Sequence, residues 1–229
     1  MPWAGFNLGD MVGDTPAAVA ANRAAFAQAI DAVPVWLRQV HGTRLVRLTR
    51  AGAAATLTSA PVEADASLAT EPGVACTVQV ADCLPLLFAD RRGRVVAAAH
   101  AGWRGLAAGI AEITLRAVCD AASCPPAEVR IWLGACIGPT RFEVGAEVLE
   151  AFGCDPRRPD ADCFTARGEA HPGKWLADLP RLARARLRAQ GAHDIEGSGC
   201  CTHSDASRFF SFRRDGRTGR MVAAVWLRG

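Results

Sequence analysis

The stretch from Val80 to Gly109, VADCLPLLFADRRGRVVAAAHAGWRGLAAG, limits more than any other what this chain can become. Two apolar runs, Leu84–Ala89 and Val95–Ala99, flank the polar segment Asp90-Arg91-Arg92-Gly93. Short apolar runs around a turn with a late glycine predict a buried β-hairpin. Cys83 precedes the first strand and His100 closes the second. Antiparallel pairing brings this thiol and this imidazole to one edge of a sheet, although they are far apart in the sequence. The chain then turns through Ala101-Gly102-Trp103-Arg104-Gly105 into an Ala-rich helical run. A helix N-terminus, Arg104, Cys83 and His100 therefore converge, the kind of place where chemistry is done.

With 229 residues, 50% of them hydrophobic, the chain can bury a full core, and one domain over 1–229 is expected. No apolar run approaches the roughly eighteen residues of a membrane span. No basic segment followed by an apolar run opens the sequence, so a cytoplasmic protein without a membrane partner is expected. Nine cysteines, odd in number and often inside apolar runs, as at Cys76 and Cys119, predict reduced core residues and no disulfide framework. The net charge is +3. Arg181, Arg184, Arg186 and Arg188 collect on one helix, which reads as a solvated face and not as a nucleic-acid stripe.

Taken in order, Thr15-Pro16 reads as a helix start, and Val19, Arg23, Phe26 and Ile30 recur at helical spacing. Val35–Val40 and Thr43–Thr49 read as strands joined at His41-Gly42, and Ala51–Pro61 as a mobile small-residue loop. Ser67–Thr70 and Val74–Val80 precede the hairpin, and Leu106–Ala121 follows it as one amphipathic helix. Val129–Leu133 reads as a buried strand, Glu143–Phe152 as a helix, and Cys154–Lys174 as a surface excursion. Trp175–Gln190 reads as a second amphipathic helix, and Arg208–Phe212 and Met221–Leu227 as closing strands. Helices interleave with hairpin-like strand pairs, which predicts a mixed-sheet α/β architecture. No GxGxxG or Walker pattern is present, which argues against dinucleotide or P-loop binding.

His41, Cys83 and His100 each sit at a predicted strand end. Two imidazoles and a thiolate suit Zn²⁺, and three protein ligands leave a fourth position open, as catalytic zinc sites do. Water in that position becomes more acidic. Isolated His and Cys residues are more often structural, and the same atoms also suit a metal-free cysteine hydrolase with Cys83 as nucleophile and His100 as base. Arg104 can hold a phosphate or carboxylate, or pair with a surface acid. Asp82 can orient an imidazole, carry a proton, or cap a strand. Cys200-Cys201-Thr202-His203 reads as a packed loop, because adjacent cysteines chelate poorly.

Asn7-Leu8-Gly9, Gly13-Asp14, Asn22-Arg23, Gln39-Val40-His41-Gly42, Ala64-Asp65-Ala66, Ala81-Asp82-Cys83-Leu84-Pro85 and His100–Gly105 resemble, in order, the motifs of the YfiH family. This family is also called the laccase-domain or polyphenol-oxidoreductase family. Ile137-Gly138-Pro139, Phe142-Glu143-Val144, Cys201-Thr202 and Phe209–Asp215 continue the match over nearly the whole chain. The resemblance implies a four-layer α/β/β/α sandwich with mixed sheets, related in shape to the catalytic domain of cytotoxic necrotizing factors. It implies a zinc ion on His41, Cys83 and His100, with Cu²⁺ as an alternative, and a catalytic group of Cys83, His100, Asp82 and Arg104. It also implies purine nucleosides and phosphate as partners, with phosphorolysis of adenosine, inosine and methylthioadenosine and deamination of adenosine. Asn22, Arg23, Gln39, Arg44 and Thr202 are the candidate substrate-binding residues, with Arg23, Arg44 and Arg104 as candidates for phosphate. A monomer is expected. Members usually carry a Thr-Arg-x-Gly-Gly segment ahead of Asn-Leu-Gly, so either the start is internal or one wall of the site is missing. Phe212 replaces a usual Tyr, and Cys200 stands where a basic residue is common. Older descriptions name copper-dependent polyphenol oxidases, yet oxidation through several coppers needs many imidazoles and only five His are present.

Overall fold

A computed structural model describes residues 2–56 and 60–229. Helix α1, Pro16–Ile30, starts where expected, but Thr15 makes no side-chain cap. Strand β1 is Val33–Val35 and β2 is Leu45–Leu48, both shorter than expected. They do not pair with each other, and residues 36–44 between them form a loop that carries His41. Helix α2, Arg50–Thr56, replaces the first part of the expected loop, as the helix propensity of its alanines allows, and residues 57–59 lie outside the described ones. Strands β3, Ala66–Ala69, β4, Val74–Val80, β5, Leu84–Asp90, and β6, Val96–Ala101, match expectation. The single helix expected over 106–121 is two, α3, Trp103–Ala107, and α4, Ile110–Ala122. They break at Gly109, whose φ of 99° suits only glycine well.

Strand β7, Val129–Leu133, is buried on one face only, with Arg130 and Trp132 exposed. The expected helix over 143–152 begins instead as β8, Glu143–Val144, before α5, Ala146–Ala151. The polar excursion contains β9, Phe164–Ala166, anchored by buried Cys163 and Phe164. Strand β10, Trp175–Ala177, takes the start of the next expected helix, and α6, Leu179–Ala189, follows under a cap in which Asp178 accepts a hydrogen bond from Arg181 N–H. Two of the α6 arginines pair with acids, Arg181 with Asp162 and Arg186 with Glu112. After β11, Ile195–Gly197, the first closing strand proves to be a loop and a short helix, α7, Phe212–Asp215. Only the second is a strand, β12, Met221–Trp226.

The main sheet is mixed, in the order β11-β7-β5-β6-β3-β2, and a smaller sheet runs β1-β4-β12. Strand β6 explains why the two stack. Its Ala97, Ala99 and Ala101 face the cluster that holds Leu106, Ile110 and Leu115 of the α3–α4 segment. Its Val96 and Ala98 face Val35, Cys76 and Val78 of the smaller sheet. Period-two alternation with both faces apolar requires cover on both sides. Helix α4 covers one side of the main sheet, and β4 and β12 of the smaller sheet pack on the other. Beyond the smaller sheet α2 packs on β1, and Phe26 of α1 meets Trp36. The four layers are thus α/β/β/α. A third small sheet, β8-β10-β9, forms apart from these two. All nine cysteines are free; Cys76 is buried as expected, whereas Cys119 is only partly so.

At the end of β3 a single carboxylate joins three parts of this frame. Asp65 is fully buried and accepts hydrogen bonds from the backbone N–H groups of Val40 (3.1 Å), His41 (2.9 Å) and Gly42 (2.8 Å). Its Oδ1 also meets His100 Nδ1 at 2.9 Å, and its backbone oxygen accepts from His100 N–H at 2.7 Å. His41 has a φ of 60°, a left-handed conformation costly for a residue with a Cβ, and the Asp65 bonds hold it there. Burial works to raise the Asp65 pKa, but the His100 bond and the backbone amides outweigh it and keep the pKa below the ordinary carboxylate value. Asp65→Asn leaves one acceptor oxygen for four donors and is expected to cost about 3 kcal/mol in urea unfolding at pH 7. A depressed carboxyl pKa stabilises above the unfolded value of about 3.9 and is lost as pH falls through the folded value, so the gap to wild type should close in acid. A gap absent at pH 7, or unchanged in acid, contradicts this role.

Candidate metal centre and active site

The β5–β6 register pairs Pro85 with His100, which sets His100 beside Cys83 at the sheet edge as the hairpin predicts. The 36–44 loop, pinned by Asp65, brings His41 to the same place. The ligating atoms of His41, Cys83 and His100 all lie within 4.8 Å of one another, with Cys83 Sγ 3.7 Å from His41 Nε2. The two imidazoles meet edge to face, 4.8 Å between centroids and 72° between planes. His100 is buried, Cys83 half-buried and His41 exposed, so the cluster opens toward solvent on the His41 side. Gly102 makes the convergence possible. A Cβ there would stand 2.6 Å from His41 Cδ2 and 3.1 Å from Cys83 Sγ.

These donors fit a zinc ion. Zn–S and Zn–N bonds of about 2.3 and 2.0 Å at a tetrahedral angle separate sulfur from nitrogen by roughly 3.5 Å, close to the observed spacing. Asp65 holds His100 by Nδ1 and thereby turns Nε2 toward the cluster, the orienting contact that metal-bound histidines need. Among the described residues the cluster holds these three ligands and no fourth. Burial would raise the Cys83 thiol, but the charge and hydrogen bond of His100, joined by His41, pull its pKa down. Burial would lower His100, but Cys83 and Asp65 pull it up. The row Asp65–His100–Cys83 therefore favours a thiolate, the form that ligates metals and attacks electrophiles.

Two cavities meet at the cluster. The larger, about 370 Å³, is lined by Gly9, Gln39, His41, Cys83, His100 and Arg220 among others. The smaller, about 190 Å³, is mostly apolar and is lined by Trp103, Ile137, Phe142 and Leu179, with Arg104 and Arg213. His41, Ala81, Cys83 and Phe212 line both. Phe212, 57% exposed, stands where they join.

The other expected site residues divide by location. Arg104 lies in the smaller cavity with its guanidinium 4.3 Å from the Trp103 ring centre. Asp82 lines the same cavity but touches no imidazole. Its two carboxylate oxygens accept from Thr202 Oγ1 (2.6 Å) and Arg213 N–H (2.7 Å). Those bonds fix an Asp82 φ of 102° and so aim Cys83. Thr202 is fully buried in that strut, away from both cavities. Gln39 reaches the larger cavity while its amide exchanges hydrogen bonds with the Gln79 backbone. Asn22 and Arg23 donate to the carbonyls of Asn7 and Leu8, so they support the loop that walls the cavity. Arg44 is exposed and lines neither cavity; its carbonyl accepts from Asp65 and Ala66 N–H. Asp65 and Arg220 were given no role by sequence reasoning. The register Ala66↔Ala99 places Asp65 beside His100, and that register was the signal that could have found it.

The family described as multi-copper polyphenol oxidoreductase laccase matches residues 1–228. A Pseudomonas aeruginosa protein named purine nucleoside phosphorylase is 46% identical over 226 residues, covering 99% of this chain and 87% of that one. An Escherichia coli protein named purine nucleoside phosphorylase YfiH is 44% identical over 228 residues, covering 99% and 88%. Among solved structures, a Neisseria meningitidis protein superposes with a TM-score of 0.87 at 43% identity, over 100% of this chain and 89% of that one. A Bacillus licheniformis protein titled hypothetical protein YfiH gives 0.90 at 29% identity, over 99% and 87%. Motifs, fold and the His-Cys-His cluster agree with these matches: the chain belongs to the YfiH, or laccase-domain, family.

Proposed function

We propose that this protein is a zinc-dependent purine nucleoside phosphorylase. The reading rests on one placement, the His41–Cys83–His100 cluster where two cavities meet, His41 and Cys83 lining both and His100 the larger. The names of its relatives support the same reaction class. The purine base lies in the apolar cavity against Trp103 and Phe142, and ribose and phosphate lie on the Gln39 and Arg220 side. In phosphorolysis the bond from C1′ to the base nitrogen breaks, a phosphate oxygen bonds to C1′, and the base leaves with the electron pair and takes up a proton. Bound zinc supplies Lewis acidity at the shared wall. Adenosine, inosine and methylthioadenosine are the proposed nucleosides, and deamination of adenosine is proposed as a second activity of the same centre. A single Cu²⁺ suits the same donors by the affinity order. Several coppers do not fit, because the described residues hold no second cluster of three such ligands. The proposal keeps the protein a cytoplasmic monomer with no nucleic-acid or membrane partner. No helix among the described residues is long and apolar enough to cross a membrane.

A cysteine hydrolase is the second reading, favoured by the row Asp65–His100–Cys83, which matches a nucleophile, base and orienting acid. His41 weighs toward the metal reading: three donors within 4.8 Å of one another suit a metal ion, whereas a nucleophile and its base need only Cys83 and His100.

Purified protein given inosine and phosphate is expected to release hypoxanthine only when phosphate is present, to lose this activity to a chelator, and to regain it with Zn²⁺. Chelator-insensitive amidase activity destroyed by thiol alkylation, with no nucleoside cleavage, supports the hydrolase instead. Asp65→Asn should lower zinc affinity by roughly 10–100-fold, as loss of an orienting partner does elsewhere. Gly102→Ala inserts a methyl against His41 and Cys83 and should lower zinc content while costing roughly 1–3 kcal/mol of stability. Full zinc occupancy and unchanged melting in that variant contradict the packing described.

A further inference from the structure

We propose that Arg220 is the phosphate-binding residue of the larger cavity, a role resting on the phosphorylase reading for its place in a reaction but not for its existence as an anion site. Arg220 is half-buried and lines the cavity that also contains Cys83 and His100. Its Nη1 donates to the carbonyls of Thr218 (3.1 Å) and Gly219 (3.0 Å), which fixes the side chain. Among the described residues no hydrogen bond from its Nε or Nη2 and no carboxylate pair is found. The guanidinium also lies 5.9 Å from the ring centre of Phe212, a face contact that leaves Nε and Nη2 without a hydrogen-bond acceptor. A planar fork held at one end with free N–H groups at the other suits a phosphate, which two N–H groups can grip together.

The cavity is built around this side chain. Asn7 Oδ1 accepts from Arg220 N–H at 2.8 Å. Gly9 passes so close that a Cβ would lie 2.6 Å from Arg220 Cγ. Burial works against the guanidinium charge and lowers its pKa, opposed by Cys83 and Asp82. A bound dianion relieves that cost. The candidates named from sequence serve less well. Arg23 is tied to Leu8 and Asp10 and covers Trp36 at 4.1 Å. Arg44 lines neither cavity, and Arg104 belongs to the apolar one. Of the other charged groups on the larger cavity, Asp10 faces Arg23 and Arg38 is exposed.

Phosphate oxygens can arrive as free inorganic phosphate or as a phosphate ester, and the test separates the two. Zinc-loaded wild type, Arg220→Gln and Arg220→Lys are titrated calorimetrically with inorganic phosphate and with ribose 5-phosphate, and phosphate KM is measured with saturating inosine. For Arg220→Gln at unchanged zinc content and inosine KM, phosphate KM and Kd should rise about tenfold or more, with part recovered in Arg220→Lys. The tighter of the two ligands on wild type names the source. Phosphate binding lost in Arg220→Gln by a wild type that cleaves no nucleoside upholds the anion site and ends the phosphorylase reading. Phosphorolysis with an unchanged phosphate KM in Arg220→Gln ends the Arg220 assignment and leaves that reading intact. Should Arg220→Gln lose its zinc, Arg220→Lys decides: wild-type phosphate KM and Kd in a zinc-loaded Arg220→Lys overturn the assignment, and an intermediate value supports it.

Discussion

The carboxylate of Asp65 is the constraint on which the site depends. Left alone, a carboxyl group in a dry interior tends to be neutral. Here three backbone amides and one imidazole surround it, and each is stronger for meeting a charge. The same four bonds hold a loop that contains a left-handed histidine and fix which nitrogen of His100 faces outward. One buried charge thus sets the geometry of two of the three candidate metal ligands. The third, Cys83, is aimed by a different acid, Asp82, whose bonds run to Thr202 and Arg213 in the C-terminal part of the chain.

Around this centre the layers divide the work. The stacked sheets give a rigid floor, because β6 is buried on both faces, and rigid elements position catalytic groups better than loops do. The walls come from the two ends of the sequence. Asn7 accepts from Gly9 and Arg220, and donates to Asp14, while Asn22 donates to its carbonyl. The larger cavity is therefore closed by segments from both ends of the sequence that meet only in the folded chain, while the smaller takes only Phe212 and Arg213 from the C-terminal part. The smaller sets Trp103 and Phe142 beside the cluster and the larger sets Gln39 and Arg220 there, an arrangement that suits a substrate with a flat base at one end and an anion at the other.

The hairpin was legible because its strands are long enough to show two apolar runs and its turn carries a glycine at φ 67°. Its antiparallel pairing was enough to place Cys83 beside His100. His41 was named as a third ligand from its residue type and its place at a predicted strand end, and resemblance to a family strengthened that reading; hairpin pairing could not place it, since 36–44 is irregular and its proximity comes from Asp65. Strands β8, β9, β10 and β11 have two or three residues each, too few to display a period, so adjoining helices were drawn over β8 and β10. Thr202 was named as a substrate contact, and Asp82 as an imidazole orienter, a proton carrier or a strand cap; that they bind each other was not legible, because residue type carries no information on which distant side chain it meets. Arg220 was not singled out in the sequence; its half-buried place on the larger cavity, beside Cys83 and His100, exists only in the folded chain.

Cobalt substitution tests the central claim most directly, because Co²⁺ reports its ligands in its colour. Protein loaded with Co²⁺ should take up a single ion per chain and show strong visible bands of tetrahedral cobalt, with a near-ultraviolet thiolate band that vanishes in Cys83→Ser. Weak octahedral bands, or a thiolate band that survives Cys83→Ser, would show that the metal is held elsewhere.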